Sequence, residues 1–254
     1  MASFPSSWWR ERPLVFGHRG ASRVAPENTL PAFRRAAEMG ADGVELDVYL
    51  TADGVPVVIH NRRLAVTTDG AGDVTRVPLA DLRTLDAGAH HGPAFTGVPV
   101  PTLEEVLREI GGQLLVNIEI KPVTGRGTAL EEAVAVLVRR LALEERVWFS
   151  SFKPYSLRVV RSLLPEVPCG LLYGPLSPGS LLLAPLTPHE ALHPHYRLLS
   201  ARRVQRAHRR GLRVAAWTVD DPDEVRRLAE WGVDVIITNT PDLVLAALEG
   251  RGAA

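Results

Sequence analysis

Thr29-Leu30-Pro31-Ala32-Phe33-Arg34-Arg35-Ala36-Ala37-Glu38-Met39, then Gly40-Ala41-Asp42, then Gly43-Val44-Glu45-Leu46-Asp47-Val48 reads as a helix, a stop and a buried strand. The first stretch spaces its apolar residues for one helical face, and Gly40 stands where a chain leaving a helix turns left-handed. The strand that follows should be wholly apolar, yet it carries two acids. Alternation puts Glu45 and Asp47 on one face, roughly 7 Å apart along the strand. Burying ionised carboxylates together is costly unless a cation or hydrogen bonds compensate. A second run, Leu114-Leu115-Val116-Asn117-Ile118-Glu119-Ile120-Lys121, repeats the anomaly with Glu119 and Lys121 on one face. The economical reading is a metal site.

The same alternation of unit types runs through the chain. Apolar runs at 14–18, 43–48, 114–121, 147–151, 169–173, 190–193, 213–219 and 235–238 read as strands. Between them, 29–39, 103–110, 128–141, 154–164, 200–210, 222–231 and 241–248 have helical patterns. Pro222 and Pro241 suit first-turn positions after the caps Asp221 and Thr240, and Gly211, Gly232 and Gly250 mark stops. Such βα alternation builds a parallel sheet, and eight strands in 254 residues favour a closed (β/α)8 TIM barrel in the α/β class. The barrel is expected over 13–249, between a tail at 1–12 and a tail at 250–254. Trp8 and Trp9 are expected to pack as a lid over one end. The Pro-, Ser- and Leu-rich stretch 174–188 is the least regular, with room for a short helix.

After Asp47 the chain continues Val48-Tyr49-Leu50-Thr51-Ala52-Asp53-Gly54-Val55-Pro56-Val57-Val58-Ile59-His60, and Asp53-Gly54 between apolar segments signals a two-residue hairpin turn. That turn predicts a short β-hairpin extension after the second strand, with Ala52 opposite Val55 and Asp47 opposite His60. His60 is thereby delivered to the carboxylates, and Pro56 requires its strand to be an edge.

Composition narrows the partners. The 29 basic and 29 acidic residues cancel, so no global field points to nucleic acid or an anionic membrane. Lys121 and Lys153 are the only lysines, which makes Lys121 conspicuous. A single cysteine, Cys169, rules out an internal disulfide or a cysteine-based zinc site and fits a reducing cytoplasm. The start lacks a signal-peptide core and no run is long enough to span a bilayer, so no stable membrane insertion is expected. The expected partner is a small molecule, and oligomeric state stays open.

In a barrel, strand C-termini converge on one mouth. His18 and Arg19, Glu45 and Asp47, Glu119 and Lys121, and Trp217 all fall there. Three carboxylates offer hard oxygen ligands, which select Mg²⁺ or Ca²⁺, with Mn²⁺ also suited. Zinc held by His18 and His60 is the competing idea, but it would leave no evident acid or base. Arg19 and Lys121 would restore charge balance and provide an anionic subsite, which implies a phosphate group. His193, near a strand end, is within reach of the mouth; the remaining histidines show no partner pattern.

His18-Arg19-Gly20, Pro26-Glu27-Asn28-Thr29, Glu45-Leu46-Asp47, Asp53-Gly54, the strand ending in His60, Thr67-Thr68 with Gly70, Glu119-Ile120-Lys121 and Trp217-Thr218-Val219 together resemble the glycerophosphodiester phosphodiesterase family. The resemblance implies a phospholipase-C-like TIM barrel that hydrolyses glycerophosphodiesters to sn-glycerol 3-phosphate and an alcohol. It implies Glu45, Asp47 and Glu119 as metal ligands and His18 and His60 as the acid/base pair. Arg19 and Lys121 would hold phosphate oxygens, Trp217 would wall the glycerol, and Asn28 would brace the first loop. Two departures stand out: Asn61 and Asn239 replace aspartates usual in the family. Lysophospholipids or phosphoinositides are alternative substrates on the same scaffold, with 181–186 as a lipid-facing mouth. A non-catalytic phosphometabolite-binding barrel is the alternative of a different class.

Overall fold

The computed structural model describes residues 2–123, 127–177 and 179–250, so 251–254 of the expected C-terminal tail lie outside the described residues. Eight parallel strands close into a barrel: β1 (Leu14–His18), β2 (Gly43–Leu50), β4 (Leu115–Ile120), β5 (Val147–Ser151), β6 (Cys169–Tyr173), β7 (Ala191–Pro194), β8 (Arg213–Ala216) and β9 (Val235–Thr238). Between β2 and β4 lies β3 (Pro56–Val58), antiparallel to β2 and at the sheet's edge. Pairing of β1 with both β9 and β2 closes the ring. The expected helices form as α1 (Leu30–Glu38), α3 (Leu103–Ile110), α4 (Ala129–Arg140), α5 (Pro154–Leu163), α7 (Ala201–His208), α8 (Pro222–Glu230) and α9 (Pro241–Leu248). Two four-residue helices, α2 (Leu79–Leu82) and α6 (Gly179–Leu182), complete the set.

Asp221 caps α8 by accepting from Asp223 N at 2.8 Å and Glu224 N at 3.3 Å. Thr240 makes no such bond, so its role as a cap is not realised. The continuous strand ends at Ala216, and of the remaining residues of the expected strand 213–219 Trp217 keeps a parallel bridge to His195. There the Trp217 indole bonds back to the His193 carbonyl at 2.8 Å, which turns the side chain into the mouth.

The bottom of the barrel is aromatic. Phe16 and Trp148 fill its interior, and the 3₁₀ turn Ser6–Trp8 folds under them. Phe4, Trp8 and Phe16 all meet Trp148 edge-on at centroid distances of 4.9, 6.5 and 5.9 Å. Trp8 Nε1 donates to the Glu145 carbonyl at 3.0 Å, so the expected lid is realised. Each such buried side chain contributes on the order of 1.5–3 kcal/mol of transfer free energy.

The hairpin differs from its expected form by one residue. Val48 pairs with Val58 and Leu50 with Pro56, so Asp47 lies opposite Ile59 and not His60. The turn holds three residues, 52–54, between Thr51 and Val55. Asp53 accepts from Thr51 Oγ1 at 2.6 Å and from Leu79 N at 3.0 Å, and Gly54 takes φ of +85°. The longer turn results because the Asp53 carboxylate is committed to those donors and Gly54 supplies the left-handed position. His60 therefore sits past the end of β3, on the chain leaving the ribbon. The expected short hairpin extension is formed by β2 and β3, and the chain that follows it, 59–101, has a core of its own, including Ile59, Leu64, Val74, Leu82 and Val100.

Candidate active site

At the mouth, strand register assembles the acids. His18 on β1 pairs with Glu45 on β2, and Asp47 pairs with Glu119 on β4. Ligand oxygens from Glu45, Asp47 and Glu119 lie within 4.8 Å of one another, and all three residues are buried. Lys121 Nζ bridges two of them, 3.0 Å from Asp47 and 2.7 Å from Glu119. Arg19 Nε stands 3.3 Å from the other Asp47 oxygen, while its Nη1 pairs with Glu27 at 3.0 Å.

Two residues reach these positions through backbone that side chains usually avoid. Arg19 and Asn28 have φ of +59° and +58°. Arg19 N donates to the Glu45 carbonyl at 2.9 Å, and Asn28 N donates to the Arg19 carbonyl at 3.0 Å, which locks both turns. A left-handed arginine costs roughly 1–2 kcal/mol, a strain of the kind held at working sites. Asn28 does more than brace its loop: its Nδ2 donates to Asp47 Oδ2 at 2.9 Å and its Oδ1 accepts from Asp47 N at 3.3 Å.

These contacts split the acids electrostatically. Burial opposes ionisation of Asp47, but Lys121 and Arg19 outweigh it and hold the carboxyl below its usual range. Burial raises Glu119 to about 7 despite Lys121. Burial, then the charges of Asp47 and Glu119, push Glu45 well up. Fully ionised, the three carboxylates would carry one more negative charge than Arg19 and Lys121 neutralise, so a bound cation would favour their ionisation, and the oxygen-only donor set fits a hard divalent cation.

The two histidines flank the acids. His18 Nδ1 lies 2.8 Å from Asn239 Oδ1, and burial followed by the Arg19 charge lowers its pKa to about 4. Asn239 Nδ2 donates to Asp220 Oδ2 at 2.6 Å, which fixes the amide with oxygen toward His18. Nδ1 of His18 is therefore the protonated nitrogen, leaving Nε2 with a lone pair. His60 is lowered mainly by burial, and its buried Nδ1 makes no hydrogen bond, so Asn61 does not hold it.

A cavity of about 200 Å³ joins His18, Arg19, Glu45, His60, Glu119, Lys121 and Trp217. Asp47 lies beneath them, ion-paired with Lys121 and Arg19 and hydrogen-bonded to Asn28. Trp217 forms an apolar wall and meets Phe152 edge-on at 5.7 Å. The cavity also takes in Asn117, Ser150, Phe152 and Leu172, which the sequence reading missed. Asn117 was legible, since it shares the strand face of Glu119 and Lys121; its Oδ1 and Nδ2 are buried without hydrogen-bond partners, as is Ser150 Oγ. His193 does not reach the mouth. It is fully buried inside the barrel, with its ring 4.5 Å from Trp148.

The sequence profile of the glycerophosphoryl diester phosphodiesterase family matches residues 18–243. A glycerophosphodiester phosphodiesterase of Caldanaerobacter subterraneus subsp. tengcongensis is 41% identical over 244 residues, covering 95% of this chain and all of that one. An Oleispira antarctica phosphodiesterase, solved with the product sn-glycerol-3-phosphate, superposes with a TM-score of 0.85 at 32% identity, covering 94% of this chain and 97% of the other. A glycerophosphodiester phosphodiesterase of Agrobacterium tumefaciens gives a TM-score of 0.78 at 31% identity, covering 92% and 99%. With profile, sequence and fold in agreement, the chain belongs to the glycerophosphoryl diester phosphodiesterase family of hydrolases.

Proposed function

We propose that the protein hydrolyses glycerophosphodiesters to sn-glycerol 3-phosphate and an alcohol, with a divalent ion on Glu45, Asp47 and Glu119 and with His18 and His60 as acid and base. The observation that supports this reading is the convergence of Glu45, Glu119, two histidines, Arg19 and Lys121 on one cavity, with the third buried carboxylate, Asp47, within 4.8 Å of the other two. Mg²⁺, Ca²⁺ or Mn²⁺ suits the oxygen donors, and when bound such an ion draws negative charge from the phosphate.

The remaining work falls to the side chains. Arg19 and Lys121 take the phosphate oxygens, and Trp217 packs against the glycerol carbons. His18 enters neutral, with Nδ1–H given to Asn239, so its Nε2 accepts the proton of the glycerol hydroxyl as that oxygen attacks phosphorus. His60 must enter as the imidazolium, which the Asp47 charge and the anionic phosphate favour against the lowering by burial, and it gives that proton to the departing alcohol. Water then opens the cyclic phosphate with the histidine roles exchanged, returning both to their starting states.

Release of glycerol 3-phosphate from glycerophosphocholine and glycerophosphoethanolamine, measured with Mg²⁺, Ca²⁺, Mn²⁺ or EDTA, tests the proposal. Turnover that needs a divalent ion is expected. Full turnover in EDTA, or binding of glycerol 3-phosphate with no turnover under any ion, would overturn it. Lysophosphatidylcholine as a third substrate separates soluble from lipid diesters.

A further inference from the structure

The barrel wall is incomplete between β6 and β7. Its neighbours are covered by α5, with ten residues, and α7, with eight, but α6 has only four and a 3₁₀ turn at Ala184–Leu186 follows it. A groove of about 650 Å³ opens there, with Leu192, Leu198 and Leu212 among its apolar walls and Arg203, Arg206 and Arg210 along one side. The segment beside it exposes Leu176, Leu181, Leu182, Leu183 and Leu186, with Leu176 fully exposed and Leu182 at 83%. Leucines at such exposure in one short stretch form a patch, and patches of this kind mark contact surfaces.

The charge beside the patch has one sign. Through Ala201-Arg202-Arg203-Val204-Gln205-Arg206-Ala207-His208-Arg209-Arg210 there is no acid, and all five arginines are exposed. Among the described residues Arg202, Arg206, Arg209 and Arg210 form no ion pair. Elsewhere on the surface arginines commonly pair with neighbouring acids, as Arg83 does with Glu105 and Arg140 with Glu104. Exposed leucine next to unpaired arginine suits a phase that is apolar within and anionic at its face. A second copy meeting this patch through a twofold axis would set arginine against arginine.

We propose that Leu176, the leucines of 181–186 and the arginine face of α7 form a reversible docking surface for an anionic lipid bilayer. The surface adjoins the active site: the segment springs from β6, whose Leu172 lines the catalytic cavity, and Gly174 lies against the Trp217 ring. The bound protein would therefore hold its mouth beside the lipid headgroups. Adsorption of this kind leaves the fold intact and needs no spanning helix, and no helix among the described residues is long and apolar enough to be one.

Co-sedimentation of the full chain with vesicles tests this independently of hydrolysis. Vesicles containing phosphatidylglycerol should carry the protein down at low salt and release it at high salt, while pure phosphatidylcholine vesicles should not. Combined Leu182→Ser, Leu183→Ser and Leu186→Ser, and separately combined Arg202→Gln, Arg206→Gln and Arg209→Gln, should each lower binding about tenfold or more. These side chains are exposed, so melting temperature and turnover of soluble glycerophosphocholine should not change. Absence of adsorption, equal adsorption to neutral vesicles, or binding that survives both sets overturns the proposal. So does a concentration-dependent dimer that the leucine substitutions abolish.

Discussion

Asp220 holds Asn239 by two hydrogen bonds, accepting its side-chain amide at Oδ2 (2.6 Å) and its backbone N–H at Oδ1 (2.7 Å). The amide oxygen is thereby turned toward His18, and the imidazole keeps its proton on Nδ1. Asp220→Ala frees the amide to rotate and should lower kcat about tenfold with KM little changed, the effect of about one lost hydrogen bond. Asn239→Asp sets a carboxylate against Asp220 and should also cost activity. The exchange Asp220→Asn with Asn239→Asp restores one donor and one acceptor, so the double variant should recover most of the rate. Steady-state kinetics on the three proteins checks this, and a double variant worse than either single one would refute it.

The three acids should separate stability from activity. Glu45 has its ionisation suppressed by burial and by its like-charged neighbours, so Glu45→Gln relieves repulsion and should leave stability unchanged or slightly higher. Asp47 is the opposite case. Its oxygens serve Lys121, Arg19 and Asn28, and Asp47→Ala leaves Lys121 with Glu119 alone and Arg19 with Glu27 alone, a loss of roughly 1–3 kcal/mol. Both variants should lose nearly all turnover. A divalent ion should raise the melting temperature of the parent protein by mass action and do so far less in Glu45→Gln. Calorimetry with and without the ion reads both effects.

Leaving-group chemistry should tell the histidines apart. A diester whose alcohol is p-nitrophenol needs little protonation to depart, so the general acid matters less. His60→Ala should be severely slow on glycerophosphocholine and substantially recovered on the p-nitrophenyl ester. His18→Ala should stay slow on both, since attack still needs a proton acceptor. Equal recovery in the two variants would reverse or void the assignment.

The hairpin shows where the sequence was legible and where it stopped. Strand positions and the mouth residues followed from period and alternation, because parallel strands buried on both faces leave few places for Glu45, Asp47 and Glu119. The turn did not follow. Asp53-Gly54 was visible, but the bond from Leu79 N that joins the local one from Thr51 in holding the three-residue turn comes from a tertiary neighbour 26 residues on. A one-residue slip moved His60 off the ribbon, yet the folded segment 59–101 still brings it to the cavity. Asn28 and Asp220 escaped for the same reason: what they do depends on partners 19 residues away in each case, Asp47 and Asn239. The Gly54 Cβ position is open space, so Gly54→Ala meets only the cost of φ at +85°, about 1 kcal/mol. Its kcat should match the parent protein, and chemical denaturation measures the loss.

His193 should give the fold a pH limit of its own. Its ring is fully buried against Trp148, and both ring nitrogens lack hydrogen-bond partners. Burial lowers its pKa from 6.5 to about 3. Between those values the unfolded chain takes up a proton at this site that the folded chain refuses. Stability contributed by the neutral ring is thus complete above pH 6.5 and falls as pH drops toward 3, by about 1.4 kcal/mol per unit. His193→Leu removes this dependence while keeping a side chain of similar volume. The shift at His18, from 6.5 to about 4, acts in the same direction but is common to both proteins and cancels in their difference. Urea denaturation at a series of pH values should give a constant difference above neutrality. Below pH 6 the difference should move steadily in favour of His193→Leu. Parallel curves across the whole range would mean that the folded protein accommodates a protonated His193.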